Sequence, residues 1–205
     1  MLADLGAAPQ LADLGPFAEE LQASRVFHVT GYAFLDGPIR ETARRALELA
    51  RSAGVTASLD VADPFVVEAI RDDLWGLLRD HVDLVFLNAE EASALCEGLP
   101  PEEALHRVAE VVRTVVVKLG RQGSLVKEDG RVTPIGIHPV EPVDTTGAGD
   151  AYAAGYLYGY VQQWSPARCG RLGARVAALS VSQVGAVPRD RAALEAAIVA
   201  CKEQP

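Results

Sequence analysis

The feature that most constrains this chain is a repeated alternation. Short apolar, β-branched runs take turns with longer stretches whose apolar residues recur at helical spacing. The runs at 25–30 (RVFHVT), 55–60 (VTASLD), 82–87 (VDLVFL) and 114–119 (TVVVKL) read as strands. Residues 37–53 place Ile39, Ala43, Ala46, Leu47 and Ala50 at helical spacing, and further helices are expected over 65–79, 90–96 and 102–113. Strands separated by helices predict parallel neighbours joined by right-handed crossovers, an α/β fold with a mostly parallel central sheet. The pattern then changes. Residues 124–128, a turn at Asp129-Gly130, and 131–134 read as a hairpin, with a further strand at 137–140. From Gly147 the chain turns helical again, over 147–162, 166–183 and 189–202. Pro166 and Pro188 fit helix starts, and the Gly185 region fits a helix end. No linker or low-complexity stretch interrupts this series, so residues 1–205 are expected to form one α/β domain.

Composition narrows the partners. Hydrophobic residues make up 49% of the 205 and charged residues 23%, which suits a chain with a real core. A formal charge of −9 repels phosphate backbones, so no nucleic-acid partner is expected. Cys96, Cys169 and Cys201 are scattered, odd in number and without metal-ligand spacing. They read as small apolar residues in a reducing compartment. The stretch from Met1 to Gly15 lacks a secretory pattern, and no apolar run reaches membrane-spanning length. The expectation is a cytoplasmic protein without a membrane partner. His28, His81, His106 and His138 have no nucleophile partner and read as structural or surface residues, while Trp75 and Trp164 read as packing residues.

In open α/β sheets, ligands sit beyond the carboxyl ends of the strands. The segments to read for chemistry are therefore Thr30-Gly31-Tyr32, Asp60-Val61-Ala62-Asp63, Asn88-Ala89-Glu90-Glu91, Gly120-Arg121-Gln122-Gly123 and Asp144-Thr145-Thr146-Gly147-Ala148-Gly149-Asp150. The last carries the strongest signal. Gly147-Ala148-Gly149 lead into a helix whose first-turn amides and dipole favour an anion. Asp150 would repel a phosphate there unless it takes a proton from an incoming hydroxyl. Helix capping is the alternative reading of the same residues. Asn88 and Glu91 likewise read as an N-cap with its first-turn carboxylate. Gly120 and Gly123 also suit plain turns, and Lys118 a solvated strand end.

The string DTTGAGD at 144–150, followed by Ala151-Tyr152-Ala153-Ala154-Gly155, closely resembles the C-terminal signature of the PfkB (ribokinase) family of sugar and nucleoside kinases. LGAA near the start, VFHVTGYAFL at 26–35, LDVADPF at 59–65, DLVFLNAEEA at 83–92, VVVKLGRQGS at 115–124 and ALSVSQVGA at 178–186 fall in the family's order. The early segments look most like its adenosine-kinase-like branch. The resemblance implies a ribokinase-like three-layer α/β/α fold and ATP-dependent phosphorylation of a hydroxyl on a sugar or nucleoside. Asp150 then corresponds to the base, and the amides around Gly147, Ala148 and Gly149 to the anion hole for the transferring phosphoryl group. Asn88 and Glu91 match the N-x-x-E motif, with Glu91 placing Mg2+ partly through water. Lys118, Gly120 and Gly123 match the segment along the ATP phosphates and ribose. Asp144 and Thr146 fall where some members bind a monovalent cation such as K+, helped by residues 180–185, although Arg189 stands where one such member offers a serine. Members with an adenine-binding asparagine would place it at Ala174, so that contact is absent.

The resemblance also marks a gap. Nothing here matches the family's first third, so the N-terminal strand or strands and the β lid are expected to be missing. That predicts an exposed strand edge and a partner, either the missing segment or a second copy in a homodimer. It also predicts weak ATP binding and poor transfer by the chain alone, because a lid excludes water. The alternative function is a catalytically impaired nucleotide-binding remnant or interaction module. A Rossmann dehydrogenase would need G-x-G-x-x-G after its first strand, which residues 30–37 do not supply, and the P-loop signature is absent.

Overall fold

A computed structural model describes residues 6–203; the first five residues, where the resemblance begins, lie outside them. Six strands form one sheet, flanked by helices: β1 (Val26–Thr30), β2 (Thr56–Asp60), β3 (Leu84–Asn88), β4 (Thr114–Lys118), β5 (Ser124–Glu128) and β6 (Arg131–Ile135), in that spatial order. β1 and β2 pair in parallel with Val26 opposite Thr56, and β2 and β3 with Ser58 opposite Leu84. β5 and β6 are antiparallel, with Ser124 opposite Ile135. Packing divides into two compact units at Val115.

The first unit carries α1 (Ala18–Ala23), β1, α2 (Pro38–Ala53), β2, α3 (Pro64–Asp80), β3, α4 (Ala89–Leu95) and α5 (Pro101–Val108). Leu84, Val85, Phe86 and Leu87 of β3 are all fully buried, so both faces of this strand are covered. That explains why it reads as a continuous apolar run rather than an alternating one. α2 opens on Pro38 and stops at a left-handed cap, Gly54. α3 is capped by Asp63 and interrupted at Ile70. His28 has the structural place expected of it, with Nδ1 3.0 Å from Ser58 Oγ and its ring edge-on to Phe86.

The second unit carries β5, β6, α6 (Ala148–Val161), α7 (Pro166–Val181) and α8 (Arg191–Glu203). The hairpin turns through Asp129 and Gly130, both at positive φ, as the Asp-Gly pair predicts. α6 and α7 pack backbone to backbone: a β-carbon placed on Gly155 would lie 2.9 Å from Gly173 Cα. Tyr152, buried on α6, shares a 2.7 Å hydrogen bond with Ser124 of β5. Leu172, Val176, Ala197 and Cys201 form a core with Trp164 packed against it, a packing role that matches expectation. These contacts fix where α6 begins.

Some boundaries differ from expectation. Residues 137–140 form no strand; Ile137 and Val140 are exposed and have no covered face to hold them in one. α5 stops at Val108 and does not run on to 113. The last helix starts three residues after Pro188, because Asp190 Oδ1 accepts from the Ala193 amide at 2.9 Å and acts as the cap. α1, announced only by Pro16 and an acidic pair at Glu19 and Glu20, has no counterpart in the periodicity reading. Cys96, Cys169 and Cys201 are buried free thiols. Burial pushes Cys96 up to about 11 and Cys169 up to about 12, which makes them inert fillers. No described helix is long and apolar enough to cross a membrane.

Candidate active site

The first turn of α6 is assembled within the second unit by a lacing of its leading loop to residues 180–186. Val143 and Asp144 both donate their amides to the Val181 carbonyl, at 2.7 and 3.2 Å. Asp144 Oδ2 accepts from the Gly185 amide at 3.0 Å, and its Oδ1 from the Thr146 amide at 2.9 Å. The Gly185 bond first, and then the bonds from Thr146, hold the Asp144 carboxyl below the usual carboxylate range. Ser180 Oγ donates to the Ala186 carbonyl at 2.9 Å. Asp144 and Thr146, expected near one another and near 180–185, are thus brought together.

Gly147 is the hinge of this arrangement. It sits at φ 74°, and a β-carbon there would lie 2.4 Å from that of Ala186. Only glycine fits both the conformation and the space. It is also the N-cap of α6, so no side chain caps this helix, and Ala148, Gly149 and Asp150 form its first turn. The Asp150 side chain is exposed and engages no group among the described residues. Beside it, Lys118 reaches in from the end of β4: a β-carbon on Gly149 would lie 3.1 Å from Lys118 Nζ. An ammonium there adds to the positive potential of the helix start. Glycine at 149 makes room for that approach.

Gly120 opens a single 3-10 turn, Gly120–Gln122, and Gly123 follows at φ 89°. A β-carbon on Gly123 would meet the Ile135 carbonyl oxygen at 2.0 Å, so the turn-glycine reading holds there. The Arg189 guanidinium lies 3.8 Å from where a β-carbon on Gly185 would sit, so a fixed positive charge borders the Asp144 loop. Asp144 accepts the Gly185 amide on one oxygen, the Thr146 amide on the other, and a further bond from the Thr146 side chain.

Asn88 and Glu91 belong to the first unit, at the end of β3 and the start of α4. Here capping is realised in full. The Glu91 amide donates to Asn88 Oδ1 at 2.8 Å, and the Asn88 amide donates to Glu91 Oε2 at 2.8 Å. Asn88 Nδ2 donates to the other oxygen, Oε1. With both oxygens engaged in the cap and the residue only 2% exposed, Glu91 is not placed to be a direct metal ligand. Among the described residues no group of three or more His, Cys, Asp or Glu could hold a metal ion alone. Mg2+ suits such a site when phosphate oxygens supply most of its ligands.

The sequence profile of the pfkB family of carbohydrate kinases matches residues 4–191. The chain belongs to this family. Among its relatives is a nucleoside kinase from Methanothermobacter thermautotrophicus, 31% identical over 189 residues, which are 88% of this chain and 55% of that protein. In three dimensions it is similar to an adenosine kinase from Sinorhizobium meliloti, with TM-score 0.85 and 32% identity over 89% of this chain and 56% of that one. It is similar too to a fructokinase variant from Vibrio cholerae solved with fructose, ADP and potassium ion, with TM-score 0.73 and 27% identity over 84% and 60%. This pfkB-family chain spans about half the length of the curated relatives it matches over most of its own length.

Proposed function

We propose that this chain carries the phosphoryl-transfer machinery of an ATP-dependent kinase acting on a hydroxyl of a sugar or nucleoside. The observation that supports it most is the first turn of α6: an uncapped helix start with an unengaged carboxylate, approached by an ammonium. Amides at 147–149 would hold the equatorial oxygens of the moving γ-phosphoryl group, and Lys118 would neutralise its charge. Asp150, exposed at the same turn, would accept the proton of the acceptor hydroxyl as its oxygen attacks phosphorus. ATP supplies the phosphoryl group, and Mg2+ bound to its phosphates would be steadied through water by Asn88 and Glu91. Gly120 and Gly123 would border the nucleotide. Asp144 and Thr146 would hold a monovalent cation such as K+ against the loop that carries Gly147. The nucleoside kinase, adenosine kinase and fructokinase among its relatives support both acceptor classes.

The test is Asp150→Asn in steady-state assays of ADP release across sugar and nucleoside acceptors, with ATP affinity measured by calorimetry. Turnover should fall by about 10²–10⁴-fold while ATP affinity barely changes. Turnover indifferent to the substitution would contradict the assignment.

A further inference from the structure

A groove between α3 and α4, wholly within the first unit, is left unused by the transfer machinery. It encloses about 570 Å³, a volume that suits a small molecule. Glu68 and Arg71 of α3 line one wall; Glu90, Ser93 and Ala94 of α4, with Glu97 just past its end, line the other. Four of these six side chains are charged. Among the described residues, none of the four makes a hydrogen bond or ion pair with another group.

Arg71 stands out, as one guanidinium among three carboxylates. Its Nε is buried and has no partner. A buried donor left unpaired is costly and calls for an explanation. Glu68 lies three residues back, and on a regular helix that spacing favours an ion pair. α3 is broken between the two, at Ile70 with φ −138° and ψ 34°, and the pair is not made. On the facing wall Glu90 and Ser93 are about one helical turn apart. Glu97 follows the cap Cys96 and sits at φ 56°. The carboxylates do not converge on one point, since no cluster of three or more acidic, His or Cys residues among the described residues could hold a metal ion. They are spread along the groove, as separate cationic groups on one larger ligand would require.

We propose that this groove binds a basic α-amino acid of the lysine or arginine type. Such a ligand carries two cationic nitrogens and one carboxylate, which complements three carboxylates and one guanidinium. Its carboxylate pairs with the terminal nitrogens of Arg71, and its two cationic groups pair with Glu68, Glu90 and Glu97. The small side chain of Ala94 leaves room, and the Ser93 hydroxyl adds a hydrogen-bonding group. A diamine offers Arg71 nothing, and a dicarboxylate meets three like charges. This site is independent of the kinase reading above.

The test is a calorimetric titration of the full chain with L-lysine, L-arginine, putrescine and glutarate. One of the amino acids should bind, with putrescine and glutarate weaker by about tenfold or more. Arg71→Gln should cost the amino acid about tenfold and leave putrescine unchanged. Glu90→Gln combined with Glu97→Gln should weaken the amino acid and the diamine alike. Circular dichroism melts check folding; both glutamates are exposed, so the double variant keeps the test open even if Arg71→Gln disturbs α3. No binding of either amino acid at about 10 mM would overturn the proposal. So would putrescine bound as tightly as lysine, or amino-acid affinity indifferent to the substitutions.

Discussion

Two helix starts in this protein share one plan and differ in its use. α4 begins Asn88-x-x-Glu91 and α6 begins Gly147-x-x-Asp150, each with an acidic residue three places after the cap. At α4 the carboxylate folds back, takes the cap amide and is buried with all its partners in place. At α6 the cap has no side chain, the carboxylate stays exposed and unengaged, and a lysine approaches the neighbouring glycine. Spacing alone therefore does not separate a carboxylate committed to its cap from one left unengaged. What separates them is whether the helix end satisfies itself.

Gly147→Val strikes this comparison hardest. The substitution forces a left-handed residue and a clash with Ala186, at a cost of about 3 kcal/mol. That should appear as a fall in Tm of roughly 6–12 °C together with loss of transfer. A stable, active variant would show that the helix start tolerates another conformation. Next in size is a paired alanine substitution read by urea unfolding. Glu91→Ala strands buried capping groups and should cost about 1–3 kcal/mol. Asp150→Ala removes nothing the fold uses and should stay within about 0.5 kcal/mol. Equal losses at both positions would erase the distinction.

The contrast also shows what the sequence could convey. The alternation of runs located the strands and most of the helices, and Asp129-Gly130 located the hairpin, because each is a local preference that tertiary packing here agrees with. Ile137 and Val140 look like strand residues but lie exposed, since nothing local says whether a partner will cover them. Asn88 and Glu91 were legible as a pair, yet only coordinates show both Glu91 oxygens committed to the cap. The bond from the Gly185 amide to Asp144 spans 41 positions, beyond the reach of any periodicity. Phe65 read simply as a helix start; its exposure and its tether through Asp63 to Tyr32 are tertiary facts.

The smallest expected effect concerns that Asp144 tether. Hydrogen bonds from Gly185 and Thr146 lower its pKa below 3.8 in the folded protein. A depressed folded value means a stabilising contribution that is complete above the ordinary carboxylate range and lost as pH falls through the lowered value. The side chain is solvent-accessible, so the effect is modest. Asp144→Asn should flatten the decline of the urea midpoint measured from about pH 5 to pH 2. An unchanged slope would show that the tether is silent in stability.

The start of α6 as a phosphoryl cradle is tested most directly by a crystal structure of the chain with ADP, Mg2+ and aluminium fluoride, a mimic of the moving group. The fluoride atoms should lie about 3 Å from amides of residues 147–149, with the Asp150 carboxylate on the side opposite ADP. Fluoride bound elsewhere, with those amides facing water, would contradict the account.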